Sequence, residues 1–170
     1  MTRKTAREIA VELCFAAAAN GMDTDELLDA FFSREHYETL AAENELFSEM
    51  PDKKQMAYIR SLTALSREKA GELDAAIERY ARGWKTQRIS RTARAILRIA
   101  LCEILYREDI PAAVAINEAV ELDKKYDEAD TVAFVNGVLG GFMRGEMGAE
   151  TALTDAEPVP TSDQVSEEQA

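Results

Sequence analysis

Apolar residues recur along this chain at intervals of three and four, and few residues capable of breaking a helix interrupt them. Ala6, Ile9, Leu13 and Ala17 form one such stripe. Met56, Ile59, Leu62 and Leu65 form another, and Val132, Val135, Leu139 and Phe142 a third. Spacing of this kind places apolar side chains on one face of an α-helix, whereas a half-buried strand needs strict alternation, and no convincing alternating segment occurs. Eight Gly and four Pro in 170 residues are too few to turn a sandwich or barrel of many short strands.

Start and stop signals divide the stripes into about seven helices. Thr5-Ala-Arg-Glu8 has capping-box spacing, and Asn20-Gly21 ends the first helix. Thr24 caps a short helix carrying Leu27, Leu28, Phe31 and Phe32. Residues 36–50 read as a short helix around Leu40 followed by loop. Pro51-Asp52 opens a long helix, and another carries Leu73, Ile77 and Tyr80 and ends at Gly83. Ser90 caps a helix with Ala93, Leu97, Ala100, Leu101 and Ile104. Pro111 begins the next, and Asp130 caps the last. The fold class is all-α: a single compact, orthogonally packed bundle over residues 1–144. Residues 145–170 are rich in Thr, Ser, Ala, Glu and Pro, lack aromatics, and read as a disordered acidic tail.

Little points to catalysis. The single His36 is far in sequence from Cys14 and Cys102, which fit small buried hydrophobes on helices better than a redox or metal role. No phosphate-cradling glycine loop is present, and Gly137, Gly140 and Gly141 lie inside a helical pattern, where they suit close helix contact. We expect no enzyme activity and no cofactor. Two cysteines make no disulfide framework, no apolar run approaches the ~18 residues of a membrane span, and charged residues interrupt the one signal-like stretch at the start. A reducing, cytoplasmic compartment is the expectation.

The net charge of −12 hides an asymmetry. Residues 146–170 hold seven acids and no Lys or Arg, whereas residues 84–107 hold six cations against Glu103. Arg91, Arg94 and Arg98 share one helix face by their spacing, with Lys85 and Arg88 before the cap. This pattern suits an anionic partner, and it also fits a solvated face bridged to acidic helices, with Arg98 the member best suited to a structural ion pair. Arg3, Lys4 and Arg7 lie at a helix N-terminus, where the macrodipole disfavours cations, so they suit phosphate binding or a frayed, solvated start.

The segments "ISRTARAILRIALCEIL", "IPAAVAINEAVELDKKY" and "FVNGVLGGF", with the opening "RKTAREIAVELCF", closely resemble the bacterial NusB transcription antitermination family over residues 3–143. The resemblance implies an all-helical, non-enzymatic RNA-binding adaptor. Such a protein would bind boxA of ribosomal RNA leader transcripts together with NusE, a small-subunit ribosomal protein, and join the RNA polymerase antitermination complex. It places RNA contacts at Arg3, Lys4, Arg7 and Arg94, a modulating Asp at Asp130, an RNA-proximal ring at Phe134 and a NusE-facing aromatic at Phe15. Thr5 stands where a basic residue is common in that family. Arg91 joins the RNA set from its position beside Arg94. Phe134 equally fits a plain core residue. The alternative function is a helical protein–protein module, or a homodimer that buries the basic face, with little RNA binding of its own.

Overall fold

The computed structural model describes residues 1–17, 21–84 and 89–148. They form eight α-helices, one short 3-10 helix (Glu45–Phe47) and no strand. The helices are α1 (Arg3–Ala17), α2 (Thr24–Phe31), α3 (Arg34–Glu43), α4 (Lys53–Glu68), α5 (Ala70–Ala81), α6 (Arg91–Tyr106), α7 (Ala112–Tyr126) and α8 (Ala129–Glu146). Most of the tail read from the sequence as disordered, residues 149–170, lies outside the described residues, as do Lys85 and Arg88. α8 itself runs two residues past the expected boundary at 144.

Three of the expected caps move. In α1 the cap is Thr2: its hydroxyl accepts the Thr5 backbone N–H at 3.1 Å and lies 3.1 Å from the Thr5 hydroxyl. Thr5 therefore sits inside the first turn, where it completes the cap in place of a basic side chain. In α2 Asp23 replaces Thr24, accepting the Asp25 N–H. In α8 the cap position is Glu128, without a side-chain bond, and Asp130 lies in the first turn, where its charge complements the helix dipole. Asp52 and Ser90 cap α4 and α6 as their positions imply, accepting from Gln55 N and Ala93 N. The ambiguous stretch resolves as α3, capped by Ser33, and the 3-10 turn.

The chain divides into two compact units, Met1–Leu73 and Asp74–Ala170, with the division inside α5. In the first unit α1 lies along α4, and α2 touches α3 and α4. The α1 stripe and Tyr58, Ile59 and Leu62 of α4 are fully buried. Each such aliphatic side chain contributes about 1.5–3 kcal/mol of transfer free energy. Phe31, Phe32, Tyr37 and Phe47 form an aromatic cluster with mostly edge-on rings. Within it the Tyr37 hydroxyl donates to the Glu49 carbonyl at 2.8 Å, and burial pushes its pKa up to about 12.

In the second unit α6 packs on both α7 and α8, which also pack on each other. Burial consequently spreads around α6 beyond the single stripe: Ala95, Ile96, Ile99 and Cys102 are enclosed along with Ala93, Leu97, Ala100 and Leu101. Gly83 turns the chain with φ +88°, a conformation that disfavours any side chain. The following Trp84 indole lies against Gly137, where an added Cβ would overlap the ring, and edge-on to Phe134 with centroids 5.7 Å apart.

Candidate nucleic-acid interface

The first turn of α1 presents its cations unequally. Lys4 is exposed and has no ion-pair partner among the described residues. Arg3 is half-buried, its guanidinium 3.9 Å from the centroid of the buried Tyr58 ring. That contact holds the stem in place and leaves the charge uncompensated by a carboxylate, because the attraction comes from the ring quadrupole. Arg7, one turn on, is 5% exposed and already engaged by neighbours, as is the buried Glu8 beside it. The expected trio thus resolves into two cations at the surface and one in the packing of α1. Phe15, near the far end of α1, exposes 42% of its surface, which suits a protein contact better than a core role.

On α6 the basic face is likewise graded. Arg91 is exposed and unpaired among the described residues. Arg98 forms a fork on Asp74 of α5, with Nε and Nη2 donating to the two carboxylate oxygens at 2.8 and 2.7 Å. Arg94 Nη1 approaches the same carboxylate at 3.3 Å. Partial burial raises the Asp74 carboxyl, but the hydrogen bonds and charge of Arg98, followed by the charge of Arg94, outweigh it and hold the group below the ordinary carboxylate value. A bidentate pair of this kind fixes geometry as well as charge. Arg98 serves structure. Arg94 retains about a third of its side-chain exposure, so it can still face an anion beside Arg91.

The two remaining sequence-derived positions differ in accessibility. Asp130 is exposed at the start of α8. Phe134 is 1% exposed beneath Trp84, so its ring offers no face for a base to stack on in this conformation. Both cysteines are buried, and His36 is exposed with its ring edge-on to Phe31. Among the described residues no three His, Cys, Asp or Glu side chains are grouped to hold a metal ion.

Three features escaped the reading of the sequence. Asp74, the hub of the arginine pair, sits 20 and 24 residues from its partners, and nothing local marks it. Trp84 on Gly137 is equally non-local. The third was detectable. Asp123 follows Ala115, Ile116, Ala119 and Leu122 at helical spacing and is 0% exposed, with no hydrogen-bond partner for either oxygen among the described residues. Nearby, the Ser90 hydroxyl donates to Asp127 at 3.1 Å, joining the α6 cap to the end of α7.

Residues 4–144 match the model of the NusB family. The chain belongs to the NusB family. It is 37% identical over 157 residues to the transcription antitermination protein NusB of Ruminiclostridium cellulolyticum, covering 92% of this chain and 99% of that protein. It is also 37% identical over 152 residues to the protein of the same name from Symbiobacterium thermophilum, covering 89% and 95%. A solved structure of T. maritima NusB superposes with a TM-score of 0.64 at 25% identity, covering 92% of this chain and 94% of that one. The family is non-enzymatic. No helix among the described residues is long and apolar enough to cross a membrane.

Proposed function

We propose that this chain is a cytoplasmic transcription antitermination factor. It acts as an RNA-binding adaptor that engages boxA of ribosomal RNA leader transcripts together with NusE and supports read-through by RNA polymerase. The observation that carries this reading is the family match across residues 4–144, with relatives named for transcription antitermination. The geometry supports it at two places. Arg3 and Lys4 stand at the start of α1, where helical N–H groups also favour phosphate. Arg91, with Arg94 beside it, stands in the first turn of α6. Each set offers cations to a phosphate backbone. Base recognition falls to neighbouring loops and to Phe134 once Trp84 shifts, and Asp130 modulates the binding. Phe15 is the proposed NusE contact.

The protein–protein reading keeps one observation in its favour: Arg7 is buried and Arg94 shares its charge with Asp74, which thins the cationic surface. A fluorescence-anisotropy titration of a boxA-like RNA at several salt concentrations, with and without NusE, separates the two. In the RNA-binding case Arg3→Ala with Lys4→Ala weakens binding and flattens the slope of log affinity against log salt by up to ~0.7 for each lost single-strand phosphate contact. If the double variant matches the parent in affinity and slope under both conditions, α1 is not an RNA anchor.

A further inference from the structure

Trp84 exposes 38% of its surface, yet its ring is held in place. Gly83 turns the chain out of α5 at φ +88°, and the Trp84 backbone N–H donates to the Ala81 carbonyl at 3.1 Å. The indole then rests on α8. A Cβ added to Gly137 would overlap ring carbon Cζ2 and would stand farther off, at 2.8 and 2.9 Å, from the adjoining Cε2 and Cη2. That pattern is an edge-on approach, so the glycine occupies a rim of the ring and not its faces. Phe134 crosses the indole at 86° with centroids 5.7 Å apart. Phe134 lies in the second turn of α8, and Gly137 opens the third. Just ahead of α8, Asp127 accepts from the Ser90 hydroxyl, which ties that end of α8 to the cap of α6 and to the exposed Arg91 beside it. The turn that carries Trp84 also presents Arg82, exposed and without an ion pair among the described residues.

We propose that Trp84 is a base-stacking residue: an unpaired base of a single-stranded RNA lies against its indole, while phosphates of the same strand meet the cations at the start of α6. Every base has a π face, so an exposed ring accompanied by cations is the combination that binds single-stranded nucleic acid. The ring is fixed before binding by the Gly83 turn, the Ala81 hydrogen bond and the Gly137 seat, so little side-chain freedom remains to be lost. Phe134 offers no face while the indole covers it, whereas Trp84 offers its ring as it stands. Stacking on Trp84 therefore comes ahead of any shift that uncovers Phe134. An exposed tryptophan also suits a protein partner, but the unpaired cations Arg82 and Arg91 favour a polyanion. The inference rests on the RNA-binding function proposed above and adds to it a residue that carries no charge.

Trp84 is the chain's single tryptophan, so its emission reports on this position alone. The test titrates the full-length protein with a boxA-like single-stranded RNA, following tryptophan emission and, in parallel, the anisotropy of labelled RNA. Emission should be quenched in step with binding and without a red shift. Trp84→Leu should weaken binding roughly five- to 150-fold, the loss of one stacked base. It should leave the slope of log affinity against log salt unchanged, because stacking neutralises no phosphate. Trp84→Phe, which keeps a π face, should lose less. RNAs made abasic at one position at a time then close a double-mutant cycle: at one position, removing the base should weaken binding to the parent and not to Trp84→Leu. Where Trp84→Leu does not fold, the parent's emission against the abasic series decides, since one RNA of the series should bind without quenching. Binding with unchanged parent emission, or with additive losses at every position, overturns the stacking and leaves the RNA-binding reading intact. A red shift without quenching overturns it in favour of displacement of the indole from Gly137. If the parent binds no RNA with or without NusE, the RNA-binding reading has failed and the stacking falls with it; a change in Trp84 emission on adding NusE alone then marks a protein contact.

Discussion

Replacing Asp123 by Asn should stabilise this protein, and by an amount that grows with pH. The side chain is fully buried in the stripe of α7, and neither oxygen has a hydrogen-bond partner among the described residues. Burial, with the Asp127 carboxylate close by, pushes its pKa from 3.8 up to about 8. Two ionised carboxylates offer no donor between them, so the pair can be satisfied only when Asp123 holds a proton. The unfolded chain releases the proton near 3.8 and the folded chain holds it to about 8. Between these values the unfolded state binds fewer protons, so stability falls as pH rises through the window, and the cost vanishes below both values. At ~1.36 kcal/mol per pH unit of that gap, the ceiling is roughly 5–6 kcal/mol. Relaxation and water reaching the pair reduce the expected gain to about 1–3 kcal/mol near neutral pH. Asn preserves the shape and gives Asp127 the amide donor that a protonated Asp123 would supply. Urea melts of parent and Asp123→Asn, from about pH 4.5 to about pH 8.5, read the difference directly. It should be small at the acid end and level off above about pH 8. A pH-independent difference, or a variant less stable than the parent at alkaline pH, would refute a buried proton-holding Asp123 and indicate an ionised carboxylate with a cationic partner.

Leu97→Ala should cost about 2–5 kcal/mol, since Leu97 of α6 is 0% exposed. Arg94→Ala should cost at most ~1 kcal/mol, and denaturant midpoints that reverse this order would overturn the assignment of the two sides of α6. Gly137→Ala drives a Cβ into the indole of the chain's single tryptophan. It should lower stability by about 1–3 kcal/mol and shift the tryptophan emission to the red as the ring moves outward; unchanged emission would show that Trp84 does not rest there. Asp74→Asn removes a carboxyl held below its ordinary value. The stability it contributes is present above the unfolded pKa and is lost as pH falls through the folded one. Parent and variant melts should therefore converge at strongly acid pH, and a constant gap would show that Asp74 acts through packing alone.

The helices are legible in the sequence, because a helix is set by neighbours three and four residues away. The α1 stripe, the Asp52 and Ser90 caps and the turn at Gly83 all lie within that reach. Even locally the reading slipped where two candidate caps stood close together, as with Asp23 and Thr24, since competing side chains there differ by little more than geometry. The family was legible too, carried by motifs in α6, α7 and α8. What spacing could not decide was the fate of each charge and ring within those helices. Arg3, Lys4 and Arg7 read alike in sequence, yet one lies over Tyr58, one faces solvent and one is packed inside. Arg91, Arg94 and Arg98 share a face, yet Asp74 on another helix claims two of them. Phe134 stands in a family motif and lies under Trp84. In each case the deciding partner is remote in the chain and within a few ångströms in space. The free energy of a charge or an aromatic ring depends on that distance and on the water it displaces, which only the tertiary structure fixes.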